Sequence, residues 1–413
     1  MGRYVKLVLV LVSLGSCGNG SVAPDSGTDG PITHPEAGND MAVADRGAEA
    51  QLPDLTVQPD GPKHQPGWFA VMNAALGRVD HTATLLKDGR VLVTGGWYRP
   101  GGKTTRLASA YVYVPAQDAV VAAGSMTTPR DSHTATLLPD GRVLVAGGYE
   151  SYNKPTSTVE IYDPTKPAGS AWSAGPALPG LRAAQAVVTL KSSEVVLVAG
   201  WDGSQPLASL AIFQTSGSWK LPAAALNEKR SGHTASLLPS GKMLVVGGYD
   251  ASQQQWLDSL ELYDPVAGTI TLLTAKLLEK RSGHTSTVLN NGMVLIVGGF
   301  CGGSCSISSD ELYDPTTNTV KAVSHAGGSP TNQTATLLTD GTVLVAGGEG
   351  NSDAQKAVAY DSTGGGSWTI LPSMNHGRHD HTASLLQDGS VLVVGGKTGS
   401  WEPITEQLER FYP

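Results

Sequence analysis

Apolar and polar positions alternate along this chain in short runs, and the runs recur with a period of about fifty residues. Seven runs near His-Thr-Ala begin at His81, His133, Gln185, His233, His284, Gln333 and His381. Each is followed, fourteen residues after its first position, by a small-Gly pair, from Gly95-Gly96 and Gly147-Gly148 through Ala199-Gly200, Gly247-Gly248, Gly298-Gly299 and Gly347-Gly348 to Gly395-Gly396. Between them, Asp-Gly or an analogue at Asp88-Gly89, Asp140-Gly141, Ser240-Gly241, Asn291-Gly292, Asp340-Gly341 and Asp388-Gly389 predicts a tight hairpin with positive backbone angles, which would fix the stride. Two strands per repeat follow from that alone.

A third strand centres on Tyr113, Tyr162, Phe213, Tyr263, Tyr313, Tyr360 and Phe411, often closed by Asp-Pro. A fourth holds Trp172, Trp219 or Trp368 in three repeats and Val120, Ile270 or Val320 in others. Units of four antiparallel strands predict the blades of an all-β, seven-bladed propeller. The last repeat stops at Phe411-Tyr412-Pro413 and lacks a fourth strand, while Gly67-Trp68-Phe69-Ala70 ahead of the first resembles the start of one. Residues 68–72 are therefore expected to fill that gap and close the ring, removing an exposed sheet edge.

The double Gly after an aliphatic strand, the following Tyr and the later Trp resemble kelch repeats across residues 68–413. The departures are Ala199 for the first Gly, Pro330 in the sixth repeat and the missing Trp of several fourth strands. In some eukaryotic kelch domains an Arg near the start of the inner strand contacts acidic peptides, so the resemblance implies a ligand-reading role for such residues. The related galactose oxidase uses a copper centre of Tyr and His with a Cys-linked Tyr, and no convincing counterpart stands in this sequence.

Composition refines the two ends. Arg3 and Lys6 followed by the apolar Leu7 to Leu14 read as an export signal too short to span a bilayer. Leu14-Gly15-Ser16-Cys17 resembles a bacterial lipobox, which implies cleavage before Cys17 and its lipidation, enough for stable anchoring. Residues 18–67 carry eight acidic residues against Arg46 and Lys63, with no Phe, Tyr or Trp, and read as a disordered tether. The formal charge of −8 divides into +2 for residues 1–17, −6 for 18–67 and −4 for the body 68–413. No basic stripe is present, so nucleic acid is set aside as a partner. Gly18 lacks the Asp associated with inner-membrane retention, which favours the outer membrane, facing periplasm or medium. With Cys17 lipidated, Cys301 and Cys305 are left to pair across a Gly-rich spacer, with a metal site as the alternative.

Candidate chemistry gathers where the inner strands begin. Arg78, Arg130, Arg182, Arg230, Arg281 and Arg378 precede six of the seven starting positions by three residues, so sevenfold geometry places them around one mouth of the channel. Asp80, Asp131 and Asp380 are candidate partners; the alternative is Arg bonded to carbonyls and carboxylates between blades. Trp97, Tyr149, Trp201 and Tyr249 follow the Gly pairs on the same face and suit stacking on a sugar or anchoring a peptide. The five His and two Gln of the starting positions are read as packing and hydrogen-bonding groups within the blade. A local exception is His376, His379 and His381, a weak metal candidate. A nucleophile elbow, a Walker loop and a dinucleotide fingerprint are missing as convincing signals. The expectation is a monomeric, lipid-anchored kelch module that binds a protein or glycan outside the cytoplasm, without cofactor or catalysis. The alternatives are a metal-dependent oxidase resembling galactose oxidase and a structural envelope component.

Overall fold

The computed structural model describes residues 65–302, 307–324, 330–349, 354–398 and 404–413. Cys17, Cys305 and residues 18–64 lie outside the described residues. The first blade shows how the repeat folds. Thr82–Leu85, Val91–Thr94, Ser109–Val114 and Ala119–Ser125 pair antiparallel, and Leu85, Val91, Tyr113 and Val120 stand in one row across them. The equivalent row in the fourth blade is Leu237, Met243, Tyr263 and Ile270. Opposite Tyr162, Phe213 and Tyr360 stand Trp172, Trp219 and Trp368, so the aromatic that centres each third strand meets a Trp or a branched aliphatic on the outer strand.

The hairpin between the first two strands takes only one positive backbone angle from the Asp-Gly pair. Gly89 N donates to Leu86 O at 3.1 Å and Leu86 N to Arg90 O at 2.8 Å, and of Asp88-Gly89 only the Gly has a positive φ, 85°. Asp88 instead accepts the Arg90 amide on Oδ1 at 3.1 Å. This is the longer turn ending in a left-handed residue, in which Asp caps a backbone donor and Gly supplies the bend.

Seven sheets arranged this way make a seven-bladed propeller of four-stranded antiparallel blades, the third blade gaining a fifth strand, Ala225–Arg230. The core is divided into seven layers, each lying in the seam between two neighbouring blades. Strand alternation explains this division. Val91 and Val93 face the seventh blade, with Leu392 and Val394, whereas Leu92 and Val112 face the second, with Val143 and Val145. Blade-to-blade stacking therefore buries both faces of every sheet, which is why the second strands read as unbroken aliphatic runs.

The ring is closed by Gly67–Ala75, the fourth strand of the last blade, beside Gln407–Tyr412. Trp68 pairs with Phe411 with ring centroids 4.9 Å apart, and its Nε1 donates to Pro372 O at 2.9 Å. Trp68 thus takes the place that Trp172 holds beside Tyr162. Below, the upper face is the end where the inner strands begin and the Gly pairs lie; the short hairpin turns mark the lower face.

Candidate functional site on the upper face

The six arginines do not line the channel mouth. Arg130, Arg230, Arg281 and Arg378 are fully buried, each turned into the wall of its own blade. Arg130 Nη1 donates to Gly147 O at 2.9 Å and Thr158 O at 3.0 Å, and Arg378 Nη1 to Gly395 O at 2.9 Å and Gln407 O at 3.0 Å. The guanidinium ties the end of the second strand to the third, so its donors are spent inside the protein.

The carboxylates that balance these charges are not Asp80, Asp131 and Asp380. They are Glu160, Glu261, Glu311 and Glu409, placed two residues before the third-strand aromatic in the second, fourth, fifth and seventh blades. Arg130 meets Glu160 at 2.8 Å, Arg230 meets Glu261 and Arg378 meets Glu409 at 2.5 Å, and Arg281 pairs with Glu311. Each carboxylate also accepts two consecutive backbone N–H groups of the segment entering its blade, as Glu261 does from Asn227 and Glu228. Thr127 and Thr128 serve Glu160, Leu278 and Glu279 serve Glu311, and Asn375 and His376 serve Glu409. One Glu thus clamps the entering loop and neutralises the buried Arg.

In the first and third blades the Glu position holds Tyr111 and Ala211. Arg78 lies 5.1 Å from the Tyr111 ring centroid, and Arg182 bonds to Ala199 O, Ser209 O and Ser209 Oγ. Burial without a carboxylate lowers both guanidinium groups to about 10. In the sixth blade Pro330 and Val358 replace both partners.

The His and Gln of the starting positions pin neighbouring blades together rather than acting within one. His133 Nε2 is 3.0 Å from Thr82 Oγ1 and Thr94 Oγ1 of the preceding blade, His81 Nε2 is 2.9 Å from Thr382 Oγ1, and His381 Nε2 is 2.9 Å from Thr334 Oγ1. Gln185 and Gln333 donate across the same seams, to Ala146 O at 3.0 Å and Val297 O at 2.7 Å. An amide N–H therefore takes over the seam contact that Nε2 of a neutral imidazole makes in the other blades. Burial, reinforced by the charge of Arg230 and of Arg378, holds His233 and His381 down at about 3, and burial pushes His284 well below its usual value. The pins explain the fourteen-residue stride more fully than the hairpin does. A Cβ on Gly95 would lie 2.7 Å from His133 Cε1 and 2.5 Å from Arg130 O, so the first Gly is the notch into which the next blade's imidazole fits.

Above the pins the upper face divides in two. Over the third to fifth blades Trp201, Tyr249 and Ala251 form an apolar cluster with Tyr149 and Trp256 against it. Tyr249 and Trp256 lie 4.7 Å apart and Trp256 and Phe300 5.7 Å, and Tyr152 at a nearby hairpin tip is 65% exposed. Over the seventh and first blades the surroundings are charged. Asp380 Oδ2 is 3.0 Å from His379 Nδ1 and 3.6 Å from Lys397 Nζ, Lys397 stands 5.6 Å from the Trp97 centroid, and Trp97 Nε1 donates to Asp80 at 2.9 Å. Asp131 pairs with Arg106 at 2.7 Å. Of the four predicted aromatics only Tyr149 keeps more than a sliver of surface, because Trp97, Trp201 and Tyr249 are buried as the roof of the blades.

His376, His379 and His381 find separate partners, Glu409, Asp380 and Thr334. Cys301 is disulfide-bonded; its expected partner Cys305 is outside the described residues. Among the described residues no three His, Cys, Asp or Glu side chains converge to hold a metal.

Comparison with known proteins gives the arrangement its relatives. A Kelch-repeats domain described as KLHDC2/KLHL20/DRC7 matches residues 215–396, and a Kelch motif matches residues 132–179. Galactose oxidase of Gibberella zeae is 36% identical over 83 residues, a stretch that is 19% of this chain and 12% of that protein. A solved fungal alcohol oxidase of the AA5 family, in complex with copper, superposes with a TM-score of 0.66 at 17% identity, over 84% of this chain and 76% of its own. At that identity the superposition speaks to fold alone. The expectation that the chain is not an enzyme is overturned by this company, since oxidases stand among the proteins it resembles. The described residues nonetheless do not fit a copper centre: the five His of the starting positions are distributed around the ring, four of them engaged with Thr of the neighbouring blade, and the Tyr row of the third strands sits toward the lower ends.

Proposed function

Because the chain is a kelch-repeat β-propeller, we propose that it works as a recognition module that takes a protein or glycan on the upper face over the second to fifth blades, held outside the cytoplasm by lipid on Cys17. The observation that carries this reading is the aromatic patch in which the half-buried Trp256 and Tyr149 rest on the buried Trp201 and Tyr249, with the exposed Tyr152 at the nearby hairpin tip. Rigid aromatics on a stiff sheet give contact area at small entropic cost. The arginines have no part in it, since their donors are used within the blades. Capture of envelope proteins and a glycan array, each with the full chain, test the reading. Trp256→Ala with Tyr152→Ala should weaken any captured ligand at least about tenfold; unchanged binding by a folded variant overturns the face. Metabolic acyl labelling that persists in Cys17→Ala would overturn the anchor.

A second reading, oxidation of an alcohol or sugar, is favoured by the galactose oxidase match. Copper-supplemented protein assayed on galactose and simple primary alcohols decides it, turnover supporting the reading and its absence at stoichiometric bound copper rejecting it.

A further inference from the structure

The upper-face cluster owes its shape to a neighbour across a seam. Trp256 ends the hairpin strand Gln255–Trp256 of the fourth blade, paired with Tyr249, and Tyr249 packs against one side of its indole. The fifth blade also closes on the ring. Phe300 meets the indole edge-on, and Gly302, with φ 85°, runs so close that a Cβ there would come within 2.3 to 2.8 Å of three indole carbons. No side chain fits between the backbone of Gly302 and the ring. Cys301 sits between these two contact residues, buried and disulfide-bonded. A covalent tie at this point restricts the short segment that presses on the indole.

We infer that the Cys301 disulfide is a positioning element for Trp256: oxidised, it holds the indole fixed between Tyr249 and Gly302, and two-electron reduction releases it. In that step a dithiol reductant gives up two electrons and two protons, the S–S bond breaks, two cysteine thiols form, and the reductant becomes a disulfide. This rests on the proposed recognition face in its consequence alone, that the aromatic face is fully formed only in the oxidised protein. The contact and its redox dependence are properties of the molecule by itself.

The test uses the full chain labelled with 5-fluorotryptophan and followed by 19F NMR, Trp256→Phe assigning the Trp256 line by its loss. Reduction with dithiothreitol, verified by titration of the newly exposed thiols, is expected to shift or narrow the Trp256 line while the Trp68 and Trp368 lines, at distant outer strands, stay in place. Gly302→Ala in the oxidised protein should move the same line. An unmoved Trp256 line after complete reduction overturns the inference, and so does a general collapse of all lines, which would make the disulfide a global staple. Loss of ligand binding in Trp256→Ala with no redox response of the line would leave the recognition face standing and sink the switch.

Discussion

Replacing His381 by Gln should remove part of the acid sensitivity of the protein while leaving its stability near neutral pH almost unchanged. His381 is buried in the seam between the sixth and seventh blades with Nε2 on Thr334 Oγ1, and burial beside Arg378 holds it at about 3. In the unfolded chain an imidazole titrates near 6.5, so the native state binds fewer protons than the unfolded one between those values. The neutral pin contributes its full stability above about pH 6.5 and loses it as pH falls toward about 3. Linkage makes the loss about 1.4 kcal/mol per pH unit inside the window, or about 2 kcal/mol at pH 5. Gln185 and Gln333 show that an amide makes the same bridge in the third and sixth blades, so His381→Gln keeps the seam and has no proton to take up. Urea unfolding at pH 7.5 and pH 5 measures this, because paired carboxylates such as Asp140 and Asp264, held below their usual value, matter only at lower pH. The variant should show an unfolding free energy about 2 kcal/mol less sensitive to that pH change. Equal pH dependence in variant and parent would refute the buried neutral imidazole. His284→Gln should behave in the same direction.

Glu261→Ala leaves Arg230 buried beside two unsatisfied backbone donors and should cost about 3–5 kcal/mol by urea titration, whereas Arg230→Leu with Glu261→Val, which copies the apolar solution of the sixth blade, should cost less than the single change. Gly95→Ala forces a Cβ to 2.5 Å from Arg130 O and should lower stability by about 2 kcal/mol or more, while Ala199→Gly relieves a non-Gly residue at φ 47° and should raise the melting temperature, worth about 1 kcal/mol. Trp68→Ala opens the closure against Phe411 and should cost about 3–5 kcal/mol, read as a lowered thermal midpoint and faster proteolysis at the chain's first strand.

The propeller was legible because its devices repeat. Seven copies of one alternation, one turn and one aromatic row cannot satisfy any α-containing arrangement, and the unpaired Phe411 strand with Trp68 at the other end showed where the ring closes. The Arg–Glu clamp was equally present in Glu160, Glu261, Glu311 and Glu409, each two residues before an aromatic, and a comparison of repeats would have shown that every such Glu occurs with an Arg. It was missed because acids near in sequence, Asp80 and Asp131, drew the pairing; the true partner lies about thirty residues on, beside the Arg only after the sheet forms. The site itself was less legible, since burial decides which aromatics are available. Periodicity places Trp97 and Tyr149 alike after a Gly pair, yet Asp80 and Lys397 bury the first and the second stays partly open.

The third blade shows what the repeat requires. Gln185 replaces the His, Ala186 the following Thr, Ala199 the first Gly and Ala211 the clamping Glu, so four rules fail together. Two of them, Thr and Gly, serve one seam with the next blade, whereas the first and sixth blades lose the Glu and keep both. Without Thr at position 186, His233 of the next blade finds no hydroxyl across the seam. Without a tight imidazole pin to admit, the notch no longer demands Gly, and without Glu the entering loop can carry Pro179, which has no N–H to offer a carboxylate. The segment leaving this blade, Ala225–Arg230, pairs with Pro206–Phe213 along the track where the amides of Arg130, Arg182, Arg281 and Arg378 donate to Leu107 O, Thr156 O, Leu257 O and Ala354 O, so backbone hydrogen bonds bridge this seam as they bridge the others. Stability in this ring therefore belongs to the junctions, and a blade tolerates unusual residues to the extent that its neighbours bridge the gap.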